Sequence, residues 1–308
     1  MTVVFSTIVP IFSVIFLGWL VHRKGLVPPD FLGPANRLVY HLAIPAMIFS
    51  AISTADFSAR FDPLVLVATL ASILLTFVLT WVGALRLPLR RFQIGTFVQC
   101  GFHGNLGYIG LAVAYYYLGE KGFAQAGILA GFIMILQNLL AVTVLQVYAP
   151  RRSGRGLSIK KTFLHIAMNP VILSSLAGIG FSVAGLTLPV VVSRTLGILS
   201  SMALPLALVL IGASLNFGQL RTALSGVAAA SVVKLLILPG IGFGIFRYLE
   251  MPPALYLPAL ILLASPTATL TYVMAREIGG DENFAVGAIS VCTLMSALTF
   301  SFWLQAAG

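Results

Sequence analysis

Residues 92–118 carry no charged side chain, and in the middle of that run stands Gly101-Phe-His-Gly-Asn-Leu-Gly-Tyr-Ile-Gly110. An apolar run of this length reads as a helix crossing a membrane. Yet four glycines in ten residues, with His103 and Asn105 among them, make a poor helix interior. A second breaker, Ser265-Pro-Thr-Ala-Thr269, interrupts a later charge-free run. Proline removes an N–H and clashes with the preceding turn. A helix broken inside hydrocarbon leaves backbone groups that must be paired by protein, water or ligand. Two such breaks at corresponding places in two halves of a chain are the pattern of a secondary transporter with a site near the bilayer midplane.

The composition agrees with membrane burial. The chain is 59% hydrophobic and 8% charged, with a mean hydropathy of +1.03. A soluble domain does not look like this. At about 30 residues per span with its loop, 308 residues hold about ten helices. The net charge of +10 sits in short loops, so it reads as a topology signal and not as a nucleic-acid face. Cys100 and Cys292 both fall in apolar runs and read as buried thiols. Cys100 and His103 lie one helical turn apart, but two ligands do not make a zinc site, and no metal centre is expected.

The spans fall at about 3–21, 36–53, 63–85, 92–118 and 123–148, then 163–183, 189–215, 222–248, 254–276 and 284 to the end. No basic region precedes the first, so a cleaved signal peptide is not expected. The polar stretch 151–161 divides the chain into repeats at 1–150 and 162–308. The order of features recurs at an offset of about 160, with Pro45 matching Pro205 and Asn105 matching Ser265-Pro266. Five spans per half is odd, so the second half runs inverted. The expected fold is an all-α integral membrane protein of ten transmembrane helices, a 5+5 inverted repeat with helices 4 and 9 broken. Loops after odd spans carry twelve Lys and Arg and those after even spans three. This excess puts the 151–161 loop in the cytoplasm and both termini outside.

The chemistry of the breaks follows from their residues. A half-helix N-terminus offers N–H groups and a dipole that favour an anion. Asn105 adds an amide, and Thr267 and Thr269 add hydroxyls that can pair the carbonyls Pro266 frees. Alternatively these side chains only satisfy broken backbone. Lys234 is the one charge near the middle of a span. It can neutralise a substrate carboxylate, donate to carbonyls at a crossing in place of a bound cation, or snorkel to a surface. All eight acids fall in turns or at span ends, so no carboxylate proton relay is expected. His103 is then the titratable candidate inside the membrane, either as a proton carrier or as a neutral ring bonded to backbone. Gln99, Gln137 and Asn138 either complete a sodium site or bridge helices.

Asn36-Arg-Leu-Val, Ala43-Ile-Pro45, Gly104-Asn-Leu-Gly-Tyr-Ile-Gly110, Asn169-Pro170, Leu210-Ile-Gly-Ala-Ser-Leu215, Ser265-Pro-Thr-Ala-Thr269 and Tyr272-Val-Met-Ala-Arg-Glu277 together resemble the auxin efflux carrier (PIN-like) family. The resemblance covers essentially the whole chain. Its last motif and the short central loop are similar to the prokaryotic branch, which includes malonate-type transporters. The resemblance implies a fold like that of bile-acid symporters and sodium–proton antiporters. Spans 1, 2, 6 and 7 would form a scaffold and dimer surface, and spans 3–5 and 8–10 a moving transport domain. One departure is that the family's proline after the first break is missing, since Gly110-Leu-Ala112 stands there. The first break must rest on glycines, and is softer or displaced toward Gly101–Gly107.

The expected function is secondary active transport of small organic anions, auxin-like or malonate-like carboxylates, by an elevator-type motion. The expected site is the crossing of helices 4 and 9. The candidate substrate-binding residues are Gly104, Asn105, Gly107, Pro266, Thr267, Thr269 and Tyr272. Lys234, His103, Gln137 and Asn138 are candidates for coupling or support. No cofactor is expected beyond a coupling sodium ion or proton. The expected setting is a bacterial inner or plasma membrane, with the chain a homodimer through its scaffold and no nucleic-acid partner. The alternatives are a sodium- or proton-coupled symporter of another solute, or a channel- or sensor-like protein on the same fold. Gly212-Ala-Ser214 faintly resembles a serine-nucleophile turn but lacks the following glycine and a histidine partner, so no enzyme is expected.

Overall fold

The computed structural model describes residues 2–55, 61–149, 168–216 and 224–307. The basic loop 151–161 and the start of the sixth span lie outside the described residues. Within them the chain is helical, with no β-strand and one isolated β-bridge. The helices are α1 (Thr2–Arg23), α2 (Pro29–Ser53), α3 (Pro63–Ala84), α4 (Arg91–Phe102) and α5 (Leu106–Tyr148). After the undescribed loop come α6 (Pro170–Val183), α7 (Val190–Ser214), α8 (Leu224–Tyr248), α9 (Pro253–Ala264), α10 (Leu270–Ile278) and α11 (Glu282–Ala307). By length and composition, seven of these described stretches suffice to cross a membrane: α1, α2, α3, α5, α7, α8 and α11. Large apolar side chains stand on their outer faces, such as Val67 and Leu79 on α3 and Leu298 and Phe302 on α11. Such faces suit lipid, and the chain has the build of an integral membrane protein.

Local chemistry sets the ends and bends. The second span begins seven residues before the expected Asn36, because Pro29 is well placed in a first helical turn, where no N–H is needed. Within α2, a π-turn at Val39–Ala43 lets the Ile44 N–H reach back to Val39 O just before Pro45, which has none to give. Gly119 divides α5 into two helices with φ 67° and ψ −171°. This is a backbone that glycine adopts without a Cβ penalty. Asn169 caps α6 by accepting from the N–H groups of Val171 and Ile172.

The contacts divide the chain into two compact units. The first comprises Met1–Asp62, Gly107–Phe132 and Ala167–Leu215. In it α1 and α7 cross so closely that a Cβ on Gly212 would stand 1.8 Å from Ile15 O, and one on Gly18 would stand 2.2 Å from Val209 O. Small residues permit this approach where no hydrophobic drive exists between helices. Ser214 donates to Leu210 O in its own helix. The second unit comprises Pro63–Leu106, Ile133–Ile166 and Asn216–Gly308. It carries a buried stripe of hydroxyls on α3: Thr69, Ser72, Thr76 and Thr80. Each donates one turn back to a carbonyl of its own helix, so the stripe is polar but satisfied.

Candidate functional site

Both breaks lie in the second unit, and they meet. Between α4 and α5 the chain is extended at His103 (φ −79°, ψ 102°). Between α9 and α10 it is extended at Ser265 (φ −61°, ψ 142°). The two extended pieces run antiparallel and form the bridge Gly104–Thr267. Asn105 N donates to Pro266 O at 2.7 Å, and Ala268 N donates to His103 O at 2.9 Å. Backbone groups released by one break are therefore paired by the other, which is what a break inside hydrocarbon requires.

Side chains close the remaining carbonyls. Gln137 straddles the first break, with Nε2 donating to Phe102 O at 3.0 Å and Oε1 accepting from Gly104 N at 3.3 Å. Thr267 Oγ1 donates to Cys100 O at 3.0 Å, and Cys292 Sγ lies 3.2 Å from the same hydroxyl. This corrects the expectation for Thr267: it pairs a carbonyl of the first break, not one that Pro266 frees. Leu262 O, one turn before Pro266, accepts instead from Ser265 Oγ. Leu263 O accepts from Lys234 Nζ at 2.7 Å. Lys234 is 0% exposed, so it does not snorkel. A Cβ on Gly104 would lie 2.7 Å from Ser265 Oγ and 3.4 Å from Lys234 Cε, so glycine is what admits the crossing at this spacing.

His103 is buried, with Nδ1 3.3 Å from Gln99 Nε2 and its ring parallel to that of Phe102. Gln99 Nε2 also donates to Met274 Sδ on α10, so Gln99 links the two broken helices. Thr269 holds the cap position of α10 with no side-chain cap bond, and Tyr272, one turn on, is half-buried. In the first turn of α10 the Thr271 N–H donates to Ala268 O at 3.0 Å and the Tyr272 N–H to Thr269 O at 3.2 Å.

One candidate is not drawn in by its amide. Asn138 donates to Met134 O one turn back, so it neither bridges helices nor joins the crossing through that amide. Gly107 is assigned by its contacts to the first unit. Conversely, Ser265, Ser231 and Cys292 join the cluster without having been singled out as site residues; Cys292 Sγ donates to Ser231 Oγ at 3.3 Å. Ser231 was findable, since it precedes Lys234 by three and shares its helix face. No comparable signal marks Cys292, which reaches the site from α11.

A family model described as "Membrane transport protein" matches residues 3–304. A protein of Rhizobium meliloti named "Putative malonate transporter" is 27% identical, over 95% of this chain and 92% of the relative. An uncharacterized transporter of Methanothermobacter thermautotrophicus is 25% identical, over 97% and 96% of the two chains. Another from Methanocaldococcus jannaschii is 23% identical over 94% of each. The chain belongs to the membrane transport protein family, that of the auxin efflux carriers, and is a multi-pass membrane protein with a small-molecule substrate.

Proposed function

We propose that the chain is a secondary active transporter of small organic anions, carboxylates of the malonate-like or auxin-like kind, working by alternating access of elevator type. The observation that carries this reading is the crossing itself. Two broken helices pair through Asn105–Pro266 and His103–Ala268, beside an amide, hydroxyls and the start of α10. Helix starts and neutral donors hold a carboxylate without gripping it too tightly to release. The name of the Rhizobium meliloti relative supports a dicarboxylate of malonate size.

The same reading extends to architecture. Dividing α5 at Gly119 and joining the halves across each break gives ten segments, which supports the five-plus-five inverted repeat. The contact units support a scaffold of spans 1, 2, 6 and 7, although 107–132 clusters with them. The homodimer is formed through that scaffold. The excess of Lys and Arg supports both termini outside a bacterial inner membrane.

Thermal stability of the purified protein, read against a panel of small carboxylates, tests the function. A ligand bound by the folded state alone raises stability by mass action. Malonate or a relative is expected to stabilise the wild type by several degrees, and Asn105→Ala is expected to fold but lose that shift. An Asn105→Ala protein that keeps the full shift removes Asn105 from the site. A panel without effect, joined to ion conductance in planar bilayers, would replace the carrier by a channel.

A further inference from the structure

The carboxyl ends of half-helices are where carriers with broken helices coordinate a coupling cation, because the last carbonyls gather partial negative charge. In this chain four of those carbonyls are closed by its own donors. Gln137 takes Phe102 O, Thr267 takes Cys100 O, Ser265 takes Leu262 O and Lys234 takes Leu263 O. Of these donors only Lys234 brings a charge. Its ammonium is fully buried, and the 2.7 Å bond to Leu263 O is the one hydrogen bond it makes among the described residues. Among the described residues no carboxylate offsets it, since the described acids stand at helix ends and turns.

The helix around Lys234 is built to deliver it. Lys234 is the second residue of a π-turn, Val233–Ile237, in which the Leu238 N–H reaches back to Val233 O just before Pro239. Such turns are frequent at functional sites. The side chain passes beside Gly104, whose missing Cβ would stand 3.4 Å from Lys234 Cε, in ordinary contact.

We propose that Lys234 is a tethered cation: it fills, at the carboxyl end of α9, the position a free monovalent cation would take, so that the crossing assembles and binds its anion without sodium. The anion part rests on the function proposed above; the tethered charge does not.

The test is thermal stability of the full-length protein without substrate, in sodium, ethylammonium or choline chloride at one ionic strength. Wild type is expected to melt at the same temperature in all three. Lys234→Ala opens a space and is expected to melt about 3–5 °C higher in sodium or ethylammonium than in choline, once the ion exceeds its Kd about tenfold. Lys234→Met fills the space without charge and is expected to show no preference. A sodium-specific rise in wild type, or a Lys234→Ala protein indifferent to the cation, overturns the proposal. If Lys234→Ala can be purified only in sodium or ethylammonium, the proposal stands; if it folds in none of the salts, a free cation does not replace the lysine and the proposal fails. Since chloride is common to all three salts and no carboxylate enters these measurements, failure of the carrier reading leaves their outcome unaffected.

Discussion

The two breaks meet at one bridge but are made by different means. The second is written into its own segment. Pro266 has no N–H to continue α9, and the residue before a proline prefers the extended backbone that Ser265 adopts. Ser265 then uses its own hydroxyl to close Leu262 O. The first break has no proline. Glycine opposes a helix by only about 1 kcal/mol relative to alanine, and α4 runs to Phe102 through Gly101. What holds His103–Asn105 open comes from elsewhere: Gln137 from α5, Thr267 and the Pro266 carbonyl from the other break. One break is local and the other is imposed by its surroundings. The missing proline makes the first break softer or displaces it toward Gly101–Gly107, and the extended backbone at His103 lies within that stretch.

If both breaks depend on their close approach, Gly104→Val has the largest effect. A side chain at 104 would meet Ser265 Oγ at 2.7 Å, Leu106 Cδ2 at 3.2 Å and Lys234 Cε at 3.4 Å. Ser265 would have to leave Leu262 O, and the bridge would have to widen. Overpacking together with loss of one of the two bonds to Leu262 O, which keeps the Ser265 N–H, is expected to cost about 2–4 kcal/mol, read as a lower midpoint of chemical unfolding in detergent. Loss of carboxylate binding should accompany it. A change below about 1 kcal/mol would mean that the bridge tolerates a wider spacing and that neither break leans on the other.

Much of this was legible in the sequence because the breakers announce themselves locally. Gly101–Gly110 and Ser265–Thr269 stand in charge-free runs, and proline, glycine and hydroxyl residues there have few uses in a helix. The partners of freed backbone were less legible. Gln137 was an amide in a long apolar run, open to a sodium site or a helix bridge, and only the fold shows that it spans Phe102 O and Gly104 N. Asn138 beside it looked equivalent and instead bonds within its own helix, because neighbours on a helix face different ways. Lys234 was conspicuous as a charge, but which carbonyl it caps depends on the packing of α8 against α9. Thr267 was placed on the correct break with the wrong partner, since its hydroxyl reaches across the bridge.

The imposed break should respond to its distant support. Gln137→Leu removes the partner of both Phe102 O and Gly104 N while filling much of the same volume. Leaving buried backbone groups unpaired is expected to cost about 2 kcal/mol, measured as above. Gln137→Glu, whose neutral carboxylic acid can accept from Gly104 N and donate to Phe102 O, should fall between Leu and wild type. If Gln137→Leu is neutral, the glycines alone keep His103–Asn105 open, and the first break is as local as the second.

The smallest effect is expected at the residue that looks most decisive in the sequence. Pro266→Ala restores an N–H and frees the unfolded chain, which should cost about 0.5–1 kcal/mol. The bridge does not use that N–H: it needs the carbonyl of residue 266 and the amide of Ala268, which alanine leaves in place. Once the crossing exists, therefore, the proline is a local preference and not its support. A loss exceeding that of Gln137→Leu would invert the comparison and make the second break the one that organises the first. The double variant decides how far the two are joined. Independent breaks give additive losses, whereas breaks that meet at Gly104–Thr267 should show a coupling of about 0.5–1 kcal/mol beyond the sum. Without Gln137 the first break depends more heavily on the Asn105–Pro266 bond, and without Pro266 the partner strand holds that bond less rigidly.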